Sequence, residues 1–285
     1  MGIVLGLAAA IIYGAADFVG GLVSRRTNVL GVVLFSQLWG TAPLLAAVPF
    51  FDATVAGEDF AWGAAAGVAG AAGVVFLYRG LSLGRMTVVA PTTAVEAATI
   101  PVIFGLVGGE RPTAVALAGV AVALPAVALV SSSPRGAPND TGTRGGEGRL
   151  PPGLPEALVA GLAFGLFFIS LERTGSGSGL WPLVAARATA MLCVGAGALL
   201  TRRSLRPSPG TAAGIATAGT LDVLANVLYL LASRQGLLSL VAVLTSLYPA
   251  STVLLARVVL RERLWRVQAG GLFLAAVGVA LIALG

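Results

Sequence analysis

Residues 239–285 read SLVAVLTSLYPASTVLLARVVLRERLWRVQAGGLFLAAVGVALIALG. Two apolar runs flank the turn Arg261-Glu262-Arg263. Each run approaches the roughly 20 apolar residues that a membrane-crossing helix needs. Working outward, the chain holds ten such runs, approximately 3–22, 30–50, 61–79, 86–108, 112–131, 156–172, 180–200, 210–231, 237–259 and 264–284. Arg25 and Arg26 close the first run, which reads as a retained spanning helix and not a cleaved signal peptide. The expected fold class is an all-α integral membrane protein with ten transmembrane helices.

Composition agrees. Of 285 residues, 57% are apolar and 11% charged, against roughly 25% charged in a soluble domain. So few charges exclude a soluble globular enzyme and a disordered chain. The net charge of +6 comes without a basic tract long enough to follow phosphates, so nucleic acid is excluded as a partner. There is no His and one Cys, which removes the usual metal ligands, the usual proton shuttle and any internal disulfide. No metal or cofactor is expected. Cys193 reads as a small buried hydrophobe.

The segment 132–155 is rich in Gly, Pro and polar residues and reads as a flexible linker. It separates residues 1–131 from 156–285, five apolar runs each. The halves repeat. At a shift of 152, Gly84-Arg85-Met86-Thr87 meets Gly236-Leu237-Leu238-Ser239, and Glu110-Arg111 meets Glu262-Arg263. At a shift of 151, Tyr13-Gly14 meets Phe164-Gly165. Five is odd, so the second half enters the membrane from the opposite side. This predicts two inverted five-helix repeats, with a binding site near the midplane between them. The pairs Gly2/Gly6, Gly63/Gly67, Gly161/Gly165 and Gly210/Gly214 are expected to let backbones approach within the bundle, or at a dimer interface.

The segment 239–285 resembles the end of the EamA-type repeat of the drug/metabolite transporter superfamily. It carries a small/polar helix, the mid-helix Pro249, an aliphatic run, the Arg-Glu-Arg turn and a Gly-rich last helix. The first half carries the matching turn Gly109-Glu110-Arg111-Pro112. It departs in placing its proline at Pro101 and Glu96 opposite Tyr248. The resemblance covers essentially the whole chain. It implies a membrane carrier of small metabolites, amino acids or drugs, usually exported, and names no single substrate.

Ionisable groups within the runs are costly in hydrocarbon, roughly 2.5–3.5 kcal/mol each, and mark a structural ion pair or a functional site. Glu96 is the deepest. Thr92, Glu96 and Thr99 share a helix face, as do Thr245, Tyr248 and Thr252, and the two stripes are expected to face one cavity. Burial favours the neutral form of a carboxylate, so Glu96 is the candidate proton carrier. Asp222, Asn226 and Tyr229 form another i, i+4, i+7 stripe expected to line the cavity, with Tyr13 and Asp17 close by. Arg187 reads as a counter-ion to one of these carboxylates or as a binder of a substrate carboxylate. Gln37 and Trp39 share helix 2, Trp39 as core packing or cavity wall. Trp62, Trp181 and Trp265 read as interface anchors. The two Glu-Arg turns read as capping or loop pairing.

These features point to a secondary transporter of the bacterial inner membrane. It would export a small amphipathic or amino-acid-like solute by alternating access, driven by protons or by the solute's own gradient. There is no phosphate-binding GxxxxGK[ST] loop. The alternative is a non-transporting membrane subunit or receptor. Without His the usual catalytic constellations are missing, so no enzyme is expected. The expected partners are a small-molecule substrate, the lipid bilayer and protons, with the chain a monomer or homodimer. Fourteen of the eighteen arginines, from Arg25 and Arg26 to Arg263 and Arg266, flank odd-numbered connections, while Arg111, Arg173 and Arg234 flank even ones. Cytoplasmic loops carry the excess of basic residues, which predicts odd connections inside and both termini outside.

Overall fold

A computed structural model describes residues 1–54, 56–83, 86–131, 153–202, 205–259 and 266–285. The Glu262-Arg263 turn, most of the linker, and Arg85, Arg135, Arg144, Arg149, Arg203 and Arg261 lie outside the described residues. The described residues are helical, without strands. The helices are α1 (Gly2–Ser24), α2 (Val29–Ala47), α3 (Gly57–Leu83), α4 (Met86–Val107), α5 (Ala114–Ser131), α6 (Leu154–Glu172), α7 (Trp181–Leu200), α8 (Ala212–Ser233), α9 (Leu238–Thr245), α10 (Tyr248–Val259) and α11 (Arg266–Leu284). Among the described residues, seven helices are long and apolar enough to cross a membrane. Three further stretches, Thr92–Val107, Ala114–Leu129 and Leu238–Thr252, are apolar but shorter.

The expected ninth helix is broken. Pro249 has no N–H to donate to the carbonyl of Thr245, and its ring crowds that carbonyl. The chain tightens instead: the amide of Leu247 donates to Leu244 O at 3.3 Å and that of Ala250 to Leu247 O at 2.9 Å. Pro43 and Pro125 sit within α2 and α5 without ending them.

Local chemistry sets the turns. The side chain of Asn28 accepts from the Leu30 amide at 2.9 Å and starts α2. Gly109, at φ +97°, closes α4, and the amide of Glu110 turns back to Gly105 O at 2.9 Å. This aims the Glu110 carboxylate across to the second half. It accepts from the amides of Leu238 (2.6 Å) and Ser239 (3.1 Å), capping α9. The capping role read for this turn is therefore present, made between halves.

Small residues fix helix directions. Gly2 lies against Ala232 and Gln235 and Gly214 against Val23, so α1 and α8 run antiparallel. Gly73 meets Phe164 and Gly80 meets Glu156, so α3 and α6 are also antiparallel. Gly63 and Gly67 sit on Pro182 and Ala186, making α3 and α7 parallel, as are α2 and α8 through Gly40 and Gly219. Thr93 and Gly165 meet Ala157 and Ile100, making α4 parallel to α6. Gly6 and Gly14 meet Leu244 and Ser251, making α1 parallel to α9 and α10. Gly119 packs on Gly278, with α5 and α11 antiparallel.

Both ends of the bundle are tied across the chain. At one end the Thr54 amide donates to Gly177 O (2.9 Å), Asp59 accepts from the Gly175 amide (2.6 Å), and Arg234 donates to Ser178 Oγ (2.7 Å). At the other, the Ser208 amide donates to Thr27 Oγ1 (2.9 Å) and its hydroxyl to Arg26 O (3.0 Å). The main core cluster, including Leu44, Phe167, Phe168, Leu183 and Tyr229, draws on both halves.

Two expectations about single residues fail. Cys193 is exposed, because α7 buries Leu183, Ala186, Arg187, Ala190, Val194 and Ala198 and position 193 falls outside that stripe. Trp39 is 58% exposed. α2 buries Val33, Gln37, Gly40 and Leu44, which turns position 39 to the outside of the bundle, where lipid would lie.

Candidate functional site

One cavity sits at the middle of the helices. Its polar wall comes from Tyr13 and Asp17 of α1, Gln37 of α2, Arg187 of α7, Asp222 and Asn226 of α8 and Tyr248 at the start of α10. Small residues of α3, Ala66, Gly67, Gly70 and Ala71, leave the space open. Phe164, Phe167 and Phe168 of α6 form an aromatic side.

The polar residues form a connected chain. Arg187, only 5% exposed, directs one terminal nitrogen at Asp222 Oδ2 at 2.5 Å and donates the other to Gln37 Oε1. The Asn226 amide nitrogen donates to Asp222 O (2.7 Å) and Oδ2 (3.2 Å). Tyr13 donates its hydroxyl to Asn226 Oδ1 at 2.7 Å. The chain thus runs from α1 through α8 and α7 to α2, crossing twice between first-half and second-half helices. Paired and hydrogen-bonded in this way, an Arg–Asp couple is tolerable at membrane depth. Of the two readings of Arg187, the counter-ion geometry is the one present. Asp17 stands apart: among the described residues it has neither a cation nor a hydrogen-bond donor.

Six of the ten candidates from the sequence thus meet at the cavity: Tyr13, Asp17, Arg187, Asp222, Asn226 and Tyr248. Four are placed elsewhere. Glu96 packs on Gly161 between α4 and α6, with Oε2 buried and unpartnered. Its neighbour Ala97 takes the position on the cavity wall, because one residue of helix turns a side chain by about 100°. Tyr229 is fully buried, its ring tilted 35° against that of Phe168 with centroids 4.4 Å apart, and donates to Phe168 O at 3.3 Å. Thr245 is fully buried beside the helix break, its hydroxyl unpartnered. Trp39 faces outward. Two further stripe hydroxyls serve backbone: Thr99 donates to Val95 O (2.7 Å) and Thr252 to Gly14 O (3.1 Å). The aromatic side was missed, although the run Phe164-Gly165-Leu166-Phe167-Phe168 was a signal for it.

Comparison with known proteins places this geometry. The EamA-like transporter family matches residues 1–132 and again residues 152–284. The chain belongs to that family and is a multi-pass membrane protein of the drug/metabolite transporter superfamily. No curated protein matches it. A solved structure described only as "Crystal structure of protein" is similar with a TM-score of 0.77 at 18% identity, over 99% of this chain and 98% of that one. That likeness concerns the fold alone.

Proposed function

We propose that this member of the EamA-like transporter family is a secondary transporter of a small solute. It works by alternating access around the midplane cavity, in the bacterial inner membrane. The seven long helices and three shorter apolar stretches together make ten spans. They form inverted halves, 1–131 and 156–285, joined by 132–155. Reciprocal packing supports this reading. α1 pairs with α8 as α3 pairs with α6, each antiparallel, and α2 pairs with α8 as α3 pairs with α7, each parallel. The double family match supports it as well.

The observation that carries the proposal is the polar chain Tyr13–Asn226–Asp222–Arg187–Gln37, built from both halves around one cavity. Polar side chains at membrane depth are retained where they contact a solute or ion. Two carboxylates are available to couple protons, Asp17 in the wall and Glu96 one residue off it, and the geometry favours Asp17.

The test needs no substrate. In a Cys193→Ala background, Ala71→Cys puts a thiol on the cavity wall. Alternating access predicts labelling by a membrane-impermeant maleimide from either face, in right-side-out and in inverted vesicles. Labelling from one face only fits a non-transporting subunit or receptor and removes the proposal. The arginine bias adds an orientation: a cysteine at position 207, between α7 and α8, should react in inverted vesicles and not in intact cells.

A further inference from the structure

The cavity holds three ionisable side chains besides tyrosines: Asp17, Asp222 and Arg187. Both terminal nitrogens of Arg187 are engaged, one on Asp222 and one on Gln37. A solute carboxylate entering here finds no free cation in the wall. To use the remaining N–H groups of Arg187 it would have to share that cation with Asp222, setting two carboxylates against one positive charge and leaving one of them uncompensated. Asp17 has no such partner. Asp17, alone in the wall, is neutral while it holds a proton; once that proton leaves, the wall sums to one negative charge. In a low-dielectric span that charge demands a positive occupant.

The surroundings decide what kind of positive occupant fits. Asp17 is faced by Tyr13 of its own helix, by Tyr78 of α3, whose hydroxyl packs on Gly20, by Asp222 of α8 and by Tyr248 of α10. None of these is a cation. Another part of the wall is aromatic, and its rings brace one another. Tyr13 meets Phe168 edge-on with centroids 6.4 Å apart, and Phe168 meets Phe167 at 5.6 Å. Tyr13 gives its hydroxyl proton to Asn226, so its polar end is occupied while its ring stays in the wall. Aromatic faces attract cations that keep an apolar body. A hydrated metal ion gains little here, and no group of three or more His, Cys, Asp or Glu exists among the described residues to strip its water.

Resting on the transport reading above, we propose that the cavity selects an organic monocation, a protonated amine on an aromatic-sized apolar body, with Asp17 as its counter-charge. Asp17 sets this choice by charge, the Phe164–Phe168 wall and Tyr13 set it by shape, and the Arg187–Asp222 pair closes the site to carboxylates.

The test uses the full-length chain in lipid nanodiscs and three ligands sharing one ring: 2-phenylethylamine, phenylalanine and 3-phenylpropionate. They present a cation, a zwitterion and an anion. Calorimetric titration, corrected with empty nanodiscs, should show the amine binding at least tenfold more tightly than the other two. Asp17→Asn should weaken the amine at least tenfold, and Asp17→Glu should restore most of it. The wild-type ranking stands whether or not the Asn variant folds. The proposal is overturned if the amine fails to bind, if phenylalanine or phenylpropionate binds as tightly, or if a folded Asp17→Asn protein binds the amine unchanged. Should position 71 label from both faces while the amine fails, transport stands and cation selection falls. One-sided labelling sinks the transport reading by itself.

Discussion

Asp222→Ala is expected to destabilise the protein by about 3–5 kcal/mol, the usual cost of stripping one partner from a buried ion pair, and by more than Arg187→Met. The asymmetry follows from chemistry and exposure. Arg187 is 5% exposed and Asp222 29%. A guanidinium left alone does not lose its proton at any accessible pH, so it stays charged at membrane depth with only Gln37 to hold it. A carboxylate left alone, wetted from the cavity, becomes neutral by taking a proton. The double variant Arg187→Met/Asp222→Ala removes both charges and should recover most of the loss, since an apolar replacement of a buried pair is often close to neutral. Thermal unfolding in nanodiscs reads all three. Equal losses for the single variants, or a double loss equal to their sum, would show that the pair is not coupled. Recovered stability need not restore transport, because the polar chain that joins the two halves through Arg187 and Asp222 would be gone.

How much of this was legible in the sequence depends on what marks a helix face. In a membrane bundle, the lipid side and the core side are both apolar, so the hydrophobic period that orients a soluble helix is nearly silent. Run lengths located the helices, and five runs in each half with matched Glu-Arg turns led to the expectation of an inverted repeat. Rotation about each axis rested on polar residues alone. On α8 that served for Asp222 and Asn226, which both turn to the cavity, and not for Tyr229 of the same stripe, which is buried against Phe168. On α4 it was not. Glu96 is drawn into the groove over Gly161, and that groove belongs to another helix with no sequence link to Glu96. Trp39 and Cys193 failed for the same reason: large or apolar residues face lipid as readily as core. The break after Thr245 was implicit in Pro249, yet Pro43 and Pro125 leave their helices whole, so proline by itself did not locate it.

Gly219→Val is expected to cost ~3 kcal/mol and to abolish solute binding. Here α2 and α8 run parallel with backbones in contact. A Cβ at Gly219 would overlap the carbonyl oxygen of Ser36 and lie 2.9 and 3.0 Å from Ser36 C and Cα. Backbone has no rotamer with which to yield, so the helices must part. The same crossing carries the reciprocal contact: a Cβ at Gly40 would fall 2.5 Å from Gly219 O and 3.4 Å from Arg187 Nη1. Parting them pulls Gln37 off Arg187, one residue-turn away, and frees a donor that a carboxylate-bearing solute then finds unoccupied. The change therefore acts twice, on packing and on the charge pattern of the wall. The control is Gly195→Val on α7, where a Cβ meets nothing within 4 Å; a stable helix should accept it with little loss. The measurement is the unfolding temperature of each variant in nanodiscs, with 2-phenylethylamine titrated into whichever folds. If Gly219→Val unfolds at the temperature of Gly195→Val and keeps its ligand affinity, the α2–α8 contact does not hold Arg187 in place, and the wall must be positioned by α1 and α7 alone.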